Sequence, residues 1–322
     1  MLEALEFAFG AVPTNEGILP IFTQFLLSHG RVQASNGRIS IDSPVKDLKV
    51  TGCLPAERLI KALRAGGKKS HFSVTDGGKL SIKAGSFRAL LPLTEAGNFP
   101  RAHPSEGSRH KIRKGFVALI KRMRPFVGDD ATRPWVSNIV FDHDLILTTS
   151  NACIACFEAK GFTPFSVPIF AVDEILRIGE DPMAYSVDAQ SITFFWEDSS
   201  WLKSQLIAGE WPIETVIKYL STKTKPKPLP PDLSAAVEKL VPFCQDQKHP
   251  VIHFSDKGIS TSPGDTQAEI EGFTLEPICF DARNIVPILS AANKAEIRTG
   301  DRPVGFFYGP DGFKAVVAGL KL

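Results

Sequence analysis

Long apolar runs are missing from this chain of 322 residues: no stretch approaches the ~20 consecutive apolar residues that carry a helix across a bilayer. A basic segment leading into an apolar core is also missing at the start, where Met1 is followed by Leu2, Glu3 and Ala4, so a secretory signal is not expected. Cysteine is scarce and odd in number. Cys53, Cys153, Cys156, Cys244 and Cys279 lie in apolar, strand-like surroundings, which suits reduced core thiols in a cytoplasmic compartment better than a disulfide framework. Catalytic signatures are absent: no Ser/His/Asp or Cys/His spacing matches a nucleophile motif. The glycines of "DGGKLSIKAG" (76–85) precede no helix, so they cannot cradle phosphate as a P-loop does.

Metal ligation is not expected either. Cys153-x-x-Cys156 has no second pair, and residues three apart on a strand point to opposite faces. His249 and His253 are four apart, but Pro250 and "VIH" set that segment as a strand start. Asp129-Asp130, between a helix and a strand, reads as a solvated turn. No cofactor, metal or catalytic role is assigned.

The hydrophobic fraction of 43% and charged fraction of 22% are ordinary for a soluble globular protein, and the length suits two or three cores. The net charge of +2 is unevenly placed. Residues 1–110 carry fourteen Lys/Arg against nine Asp/Glu, and "RHKIRKGFVALIKRMRPF" (109–126) has seven Lys/Arg and no acid. A basic run on a nearly neutral chain suits one face that holds a polyanion.

An internal repeat organises the rest. "LSIKAGSFRALLPLTEAGNFP" (80–100), "ITFFWEDSSWLKSQLIAGEWP" (192–212) and "VGFFYGPDGFKAVVAGLKL" (304–322) share a strand–turn–strand pattern, with Phe87, Leu202 and Phe313 in equivalent places. "LPAERLIKALRAGG" (54–67) matches "VPIFAVDEILRIGE" (167–180) at an offset of 113, and Ser150-Asn151 is matched to Ser35-Asn36 at 115. A period near a hundred residues means three copies of one domain. Each copy reads helix, strands, helix, strands, an α+β fold with boundaries at 1–108, 109–222 and 230–322. "NFPRAHPSEGS" and the Pro/Lys-rich "STKTKPKPLPPDL" (221–233) read as linkers. Residues 2–12 are expected to be a short helix, and Pro55 to sit in the first turn of the 54–67 helix. Pro287 should kink the last helix unless it lies in the first turn.

Two helical segments are basic on one side. In 54–67 the apolar face of Leu59, Ile60 and Leu63 is backed by Arg58, Lys61 and Arg64. In a helix read from about residue 112, Arg113, Lys114, Lys121 and Arg124 form a stripe beside the apolar face, with Lys111 and Arg122 further round. A charge run on a helix is ordinarily a solvated face. The absence of acids over 109–126, and the second basic face at an equivalent place in the repeat, favour contact with nucleic-acid phosphates without base specificity.

"FVGDDATRPWVSNIVFDHDLILTTSNACIACF", then "VPIFAVDEILRI", then "ITFF…WLKSQLIAGEWP" resembles the middle domain of the bacterial DNA sliding clamp, the β subunit of the replicative polymerase. The resemblance is good over 112–215, and the threefold repeat extends it to the whole chain. It implies a head-to-tail homodimer of three-domain protomers that closes into a ring, with helices lining a channel for duplex DNA and sheets outside. It implies partners in a DNA polymerase, a clamp loader and other proteins bearing a clamp-binding motif, in the cytoplasm and without a membrane. By matched position, Arg58, Lys61, Arg64, Arg113, Lys114, Lys121 and Arg124 would face the channel. A pocket for short partner peptides would use Arg133, Val136, Thr149, Asn151 and Ile154, with Val316, Val317, Leu320 and Leu322 from the last strand and tail.

The chain departs from the family pattern in three places. The usual Thr-Asp-Gly-x-Arg-Leu turn is here "TSNACI", the tail "AGLKL" replaces a Pro-containing version, and the first helix carries Glu3 and Glu6 and no base. These departures point to a viral or mobile-element clamp or to altered partner choice. The alternative reading is a clamp-domain module that binds DNA or proteins without forming a ring.

Overall fold

A computed structural model describes residues 1–13, 19–45, 49–244, 250–256, 258–261, 266–271 and 275–321. His249 and Leu322 therefore lie outside the described residues. The threefold order of elements is as the sequence predicts. The first copy runs α1 (Leu2–Phe9), β1 (Gln24–Ser28), β2 (Arg31–Ser35), β3 (Ile39–Pro44), β4 (Gly52–Pro55), α2 (Ala56–Gly66), β5 (His71–Val74), β6 (Lys79–Ala84) and β7 (Phe87–Pro92). The second runs β8 (His110–Lys111), α3 (Phe116–Met123), β9 (Asn138–Asp142), β10 (Leu145–Thr149), β11 (Cys153–Glu158), β12 (Phe165–Pro168), α4 (Ile169–Ile178), β13 (Ala184–Val187), β14 (Ser191–Phe195), β15 (Trp201–Gln205) and α5 (Ile213–Leu220). The third runs β16 (Lys227–Pro228), α6 (Leu233–Leu240), β17 (Val251–Phe254), β18 (Gly258–Ser260), β19 (Gln267–Glu269), β20 (Ile278–Asp281), α7 (Ala282–Ala291), β21 (Lys294–Arg298), β22 (Val304–Tyr308) and β23 (Lys314–Ala318).

Local chemistry explains the repeated boundaries. The strand before each second helix ends on Pro55, Pro168 or Asp281. Pro55 is thus the last residue of a strand and not part of the helix's first turn; its missing N–H ends the ladder where the helix begins. Asp281 does the same work by capping, its side chain accepting from the Arg283 N–H. Pro287 is interior to α7, and the helix continues past it to Ala291.

Hairpin turns fall where the sequence places them, and each uses the left-handed backbone that tight hairpins need. His29 and Gly30 have φ of 51° and 70°. At the next hairpin of each copy, Gly37 at φ 84° corresponds to Asn151 at φ 70°. Asn36 N–H donates to the Ile39 carbonyl as Ser150 N–H does to that of Cys153, so Asn36 corresponds to Ser150. The equivalence drawn from the shared Ser-Asn pair is therefore one residue out of register. Asn151 replaces a glycine because Asn tolerates left-handed backbone better than other side chains do.

The chain divides into two compact units, Met1–Leu119 with Phe170–Leu206, and Ile120–Ile169 with Ile207–Leu322. The division falls between the two halves of the middle copy. In the first unit an antiparallel eight-stranded sheet has the order β4-β1-β2-β3-β15-β14-β13-β8, beside a three-stranded sheet β5-β6-β7. In the second, an eight-stranded sheet has the order β12-β9-β10-β11-β23-β22-β21-β16, beside a four-stranded sheet β19-β18-β17-β20. Each large sheet therefore joins the first half of one copy to the second half of the next, through the seams β3–β15 and β11–β23. Helices other than α5 pack on one face, where Phe25, Phe116 and Phe194 in the first unit and Phe141, Phe280 and Phe307 in the second are all fully buried. Each such burial stabilises by roughly 1.5–3 kcal/mol.

Three elements differ from the sequence reading. The basic helix is shorter than expected and begins at Phe116, so Arg113 and Lys114 precede it. The cause is local: His110–Lys111 pairs with β13, Gly115 turns the chain at φ 89°, and the Asp181 carboxylate accepts from the N–H groups of Gly115 at 2.6 Å and Val117 at 2.7 Å. Asp181 thereby supplies the cap that fixes where the helix starts. The Pro/Lys-rich linker is partly ordered as β16, paired antiparallel with β21. The helix α5 was not foreseen at all.

Candidate functional site

Sequence and sheet register together decide which side chains share the outer face of the second unit's large sheet. Thr149 on β10 pairs with Ile154 on β11, which pairs with Val316 on β23, so these three form one row across the sheet. Leu147, Cys156 and Lys314 form the next row. Over this face lies α5, whose Val216 packs with Val140, Leu147 and Cys156, flanked by Trp211, Ile213 and Leu220. A small cleft of about 80 Å³ remains where the end of α5 meets Leu145, Cys156 and Lys314.

The residues matched to a peptide pocket are thus only partly brought together. Thr149, Ile154 and Val316 share the outer face. Val317 does not: neighbours on a strand point to opposite sides, and Val317 is fully buried on the inner face with Cys153. Val136 is also fully buried, in a 3₁₀ turn. Leu320 is 39% exposed and bonds through its N–H to the Cys279 carbonyl at 2.7 Å. Arg133 donates to the Asn151 side chain at 3.4 Å, and Asn151 donates to Asp130 at 2.9 Å. Hydrogen bonds from the Thr132 side chain and backbone hold the Asp130 carboxyl below its ordinary value. These three polar residues therefore make a pre-ordered rim at the mouth of the turn.

The sequence reading missed Trp211, Ile213, Val216 and Leu220. The signal was available, because the apolar residues 213, 216, 217 and 220 recur at helical spacing after the Gly-x-x-Pro exit.

The basic residues divide by environment. On α2, Arg58 is exposed, Lys61 pairs with Glu57 at 2.5 Å, and Arg64 pairs with Glu6 of α1 at 2.7 Å. Exposed pairs of this kind are worth roughly 0–1 kcal/mol. Arg113 and Lys114 are exposed on the segment before α3, beside a 650 Å³ cleft in the first unit that also holds Glu180 and Asp181. Lys121 is exposed on α3, and Arg124 is half-buried in the turn that follows. Arg122, off the stripe, bonds Asp311 at 3.1 Å and lies 3.9 Å from the centre of the Phe157 ring.

The remaining candidates are structural. Cys153 and Cys156 are buried on β11, and burial pushes their thiols up to about 12 and about 11. His253, its pKa lowered by burial, sits 2.9 Å from the Cys279 sulfur. Among the described residues no group of three or more His, Cys, Asp or Glu could hold a metal ion.

No family model and no curated protein matches the sequence. Solved structures do match, over the whole chain. The DNA polymerase sliding clamp of Caulobacter crescentus is 22% identical with a TM-score of 0.81, covering 100% of this chain and 97% of that one. The DnaN sliding clamp of Bartonella birtlesii bound to griselimycin is 17% identical (TM-score 0.79), with the same coverage. The beta subunit from the DNA polymerase of Streptococcus pyogenes is 14% identical (TM-score 0.79), again with the same coverage. The repeated copies, the paired half-sheets and these full-length matches lead to one conclusion: the chain has the fold of a bacterial DNA polymerase III β sliding clamp.

Proposed function

We propose that this chain is a DNA sliding clamp, a non-catalytic scaffold whose two copies close head to tail around duplex DNA and tether a polymerase and other proteins. The pattern of seams carries this reading. Each internal seam joins the third strand of one half-sheet to the last strand of another: β3 to β15 and β11 to β23. The same rule applied to the two leftover sheets pairs β19 of one copy with β7 of the next. Each ends its sheet. Exposed Arg88 and Leu90 on β7, with exposed Gln267 and Glu269 on β19, suit that contact. Two copies joined this way have six equivalent seams and no free partner strand, which is closure by a heterologous contact.

Within such a ring, Arg58, Lys61, Arg64, Arg113, Lys114, Lys121 and Arg124 meet phosphates without reading sequence, which lets the ring slide. The row Thr149–Ile154–Val316, bordered by α5 and the Arg133–Asn151–Asp130 rim, takes apolar anchors of a short peptide. A clamp loader would be needed to open the ring onto closed DNA.

Retention on DNA of different topology tests the proposal. Labelled protein loaded on nicked circular DNA should stay bound at salt concentrations that strip it from the same DNA after linearisation. Equal loss from both forms supports the non-encircling module instead. For the seam, Arg88→Glu should convert dimers to monomers in sedimentation, and adding Glu269→Arg should restore them. A dimer untouched by either change refutes the β7–β19 pairing.

A further inference from the structure

The two connectors between copies end alike. His110–Lys111 adds to the outer side of β13 as β8, and Lys227–Pro228 adds to the outer side of β21 as β16, both antiparallel. β13 and β21 are the first strands after the second helix of their copies. The equivalent strand in the first copy is β5, which ends its sheet with no strand beyond it among the described residues. An open strand edge presents a row of unpaired backbone donors and acceptors, a ready template for another chain.

The edge has a sided chemistry. Phe72 and Val74 pair with Ile82 and Leu80, which are fully buried, yet Val74 is 53% exposed, so the apolar layer is uncovered at this corner. On the other face His71, Lys83 and Arg88 stand directly opposite one another across three strands. The like charges of Lys83 and Arg88, so placed, repel. Residues 68–92 hold five Lys/Arg and a single acid, Asp76. The charge disfavours pairing of β5 with β5 of a second copy and favours a strand of opposite sign.

We propose that β5 is a docking edge for an extended acidic peptide of a partner protein. The peptide adds as an antiparallel strand, with alternate apolar side chains over Val74 and acidic ones facing His71 and Lys83. The site is independent of the peptide groove on the second unit, so one chain can hold two partners by different means.

A fluorescein-labelled synthetic peptide alternating Glu/Asp with Val/Ile, and a control with Lys in place of the acids, test this by anisotropy against the full chain. The acidic peptide should bind saturably and the Lys control should not. Lys83→Glu, on the solvent face of β6, should weaken binding roughly tenfold, about 1.4 kcal/mol. His71→Glu at the exposed edge should act in the same direction and serves if the first variant misfolds. Hydrogen exchange at residues 71–74 should slow on binding. Absence of binding at millimolar peptide, equal binding by the Lys control, indifference to both charge reversals, or protection confined to the second unit would each overturn the proposal.

Discussion

The two eight-stranded sheets share one topology but differ in the connector that lies on the outer face. In the first unit the face shows Arg31, Gln33, Asp42, Thr193 and Lys203 among the apolar Leu26, Cys53, Phe195 and Trp201, and the 101–107 connector lies upon it, with Ala102 against Phe195 and Trp201. Gln33 donates to the Ala102 carbonyl at 3.0 Å and accepts from its N–H at 2.8 Å. Lys203 bonds the His103 carbonyl, and Ser105 N–H bonds Thr193. In the second unit the face carries Leu145, Leu147, Ile154, Cys156 and Val316 together with Thr149 and Lys314, and the equivalent connector is the helix α5. An extended connector bonds part of its backbone to polar side chains of the face, and a cleft of about 220 Å³ lined by Arg31, Gln33, Asp42 and Trp201 remains beside it. A helical connector needs no backbone partners from the sheet and packs by side chains, which leaves an apolar row beside it. The same connector position thus carries an extended segment hydrogen-bonded to the sheet in one unit and a helix packed by its side chains in the other.

Changes that invert this contrast should cost the most. Val216→Asp would bury a carboxylate between α5 and the sheet, and urea unfolding should show a loss of more than about 3 kcal/mol or detachment of the helix. Gly107→Ala attacks the extended connector: its Cβ would fall 2.0 Å from the Val187 carbonyl oxygen. Because that neighbour is backbone and cannot swing away, a loss of roughly 2–3 kcal/mol is expected in the same assay. Gln33→Ala removes both bonds to Ala102 and should cost about 1–2 kcal/mol, with faster hydrogen exchange over 101–107.

Asp42 gives the smallest effect. Burial raises its carboxyl above 3.8, partly offset by the Arg31 guanidinium beside it. A folded-state pKa above the unfolded one means the folded chain holds the proton more tightly. This group's contribution is therefore fully present below pH 3.8 and is lost as pH rises through the raised value. Asp42→Asn should remove that slope from a stability curve measured across the acidic range; an unchanged slope would refute the assignment to Asp42.

Much of this was legible in the chain itself. The offset of 113 between the second helices holds from Ala56 to Ile169 to Ala282, because prolines and capping residues fix helix starts locally. The start of α3 was not legible: Asp181, which caps it, lies some 65 residues further along, and a helical wheel cannot see it. Nor could spacing show that Val317 turns inward while Val316 faces out, since both are apolar and only the β11 register separates them. The α5 helix was visible as periodicity but lies between the Gly-x-x-Pro exit and the 221–233 linker, where the repeat pattern offers no element.

The seams also bear on how such a chain can change over time. β3–β15 and β11–β23 are held by main-chain hydrogen bonds, which any non-proline residue can make. Mutational drift can therefore replace most side chains without parting the sheets, provided inward positions stay apolar. That tolerance accounts for one architecture being shared at 14–22% identity.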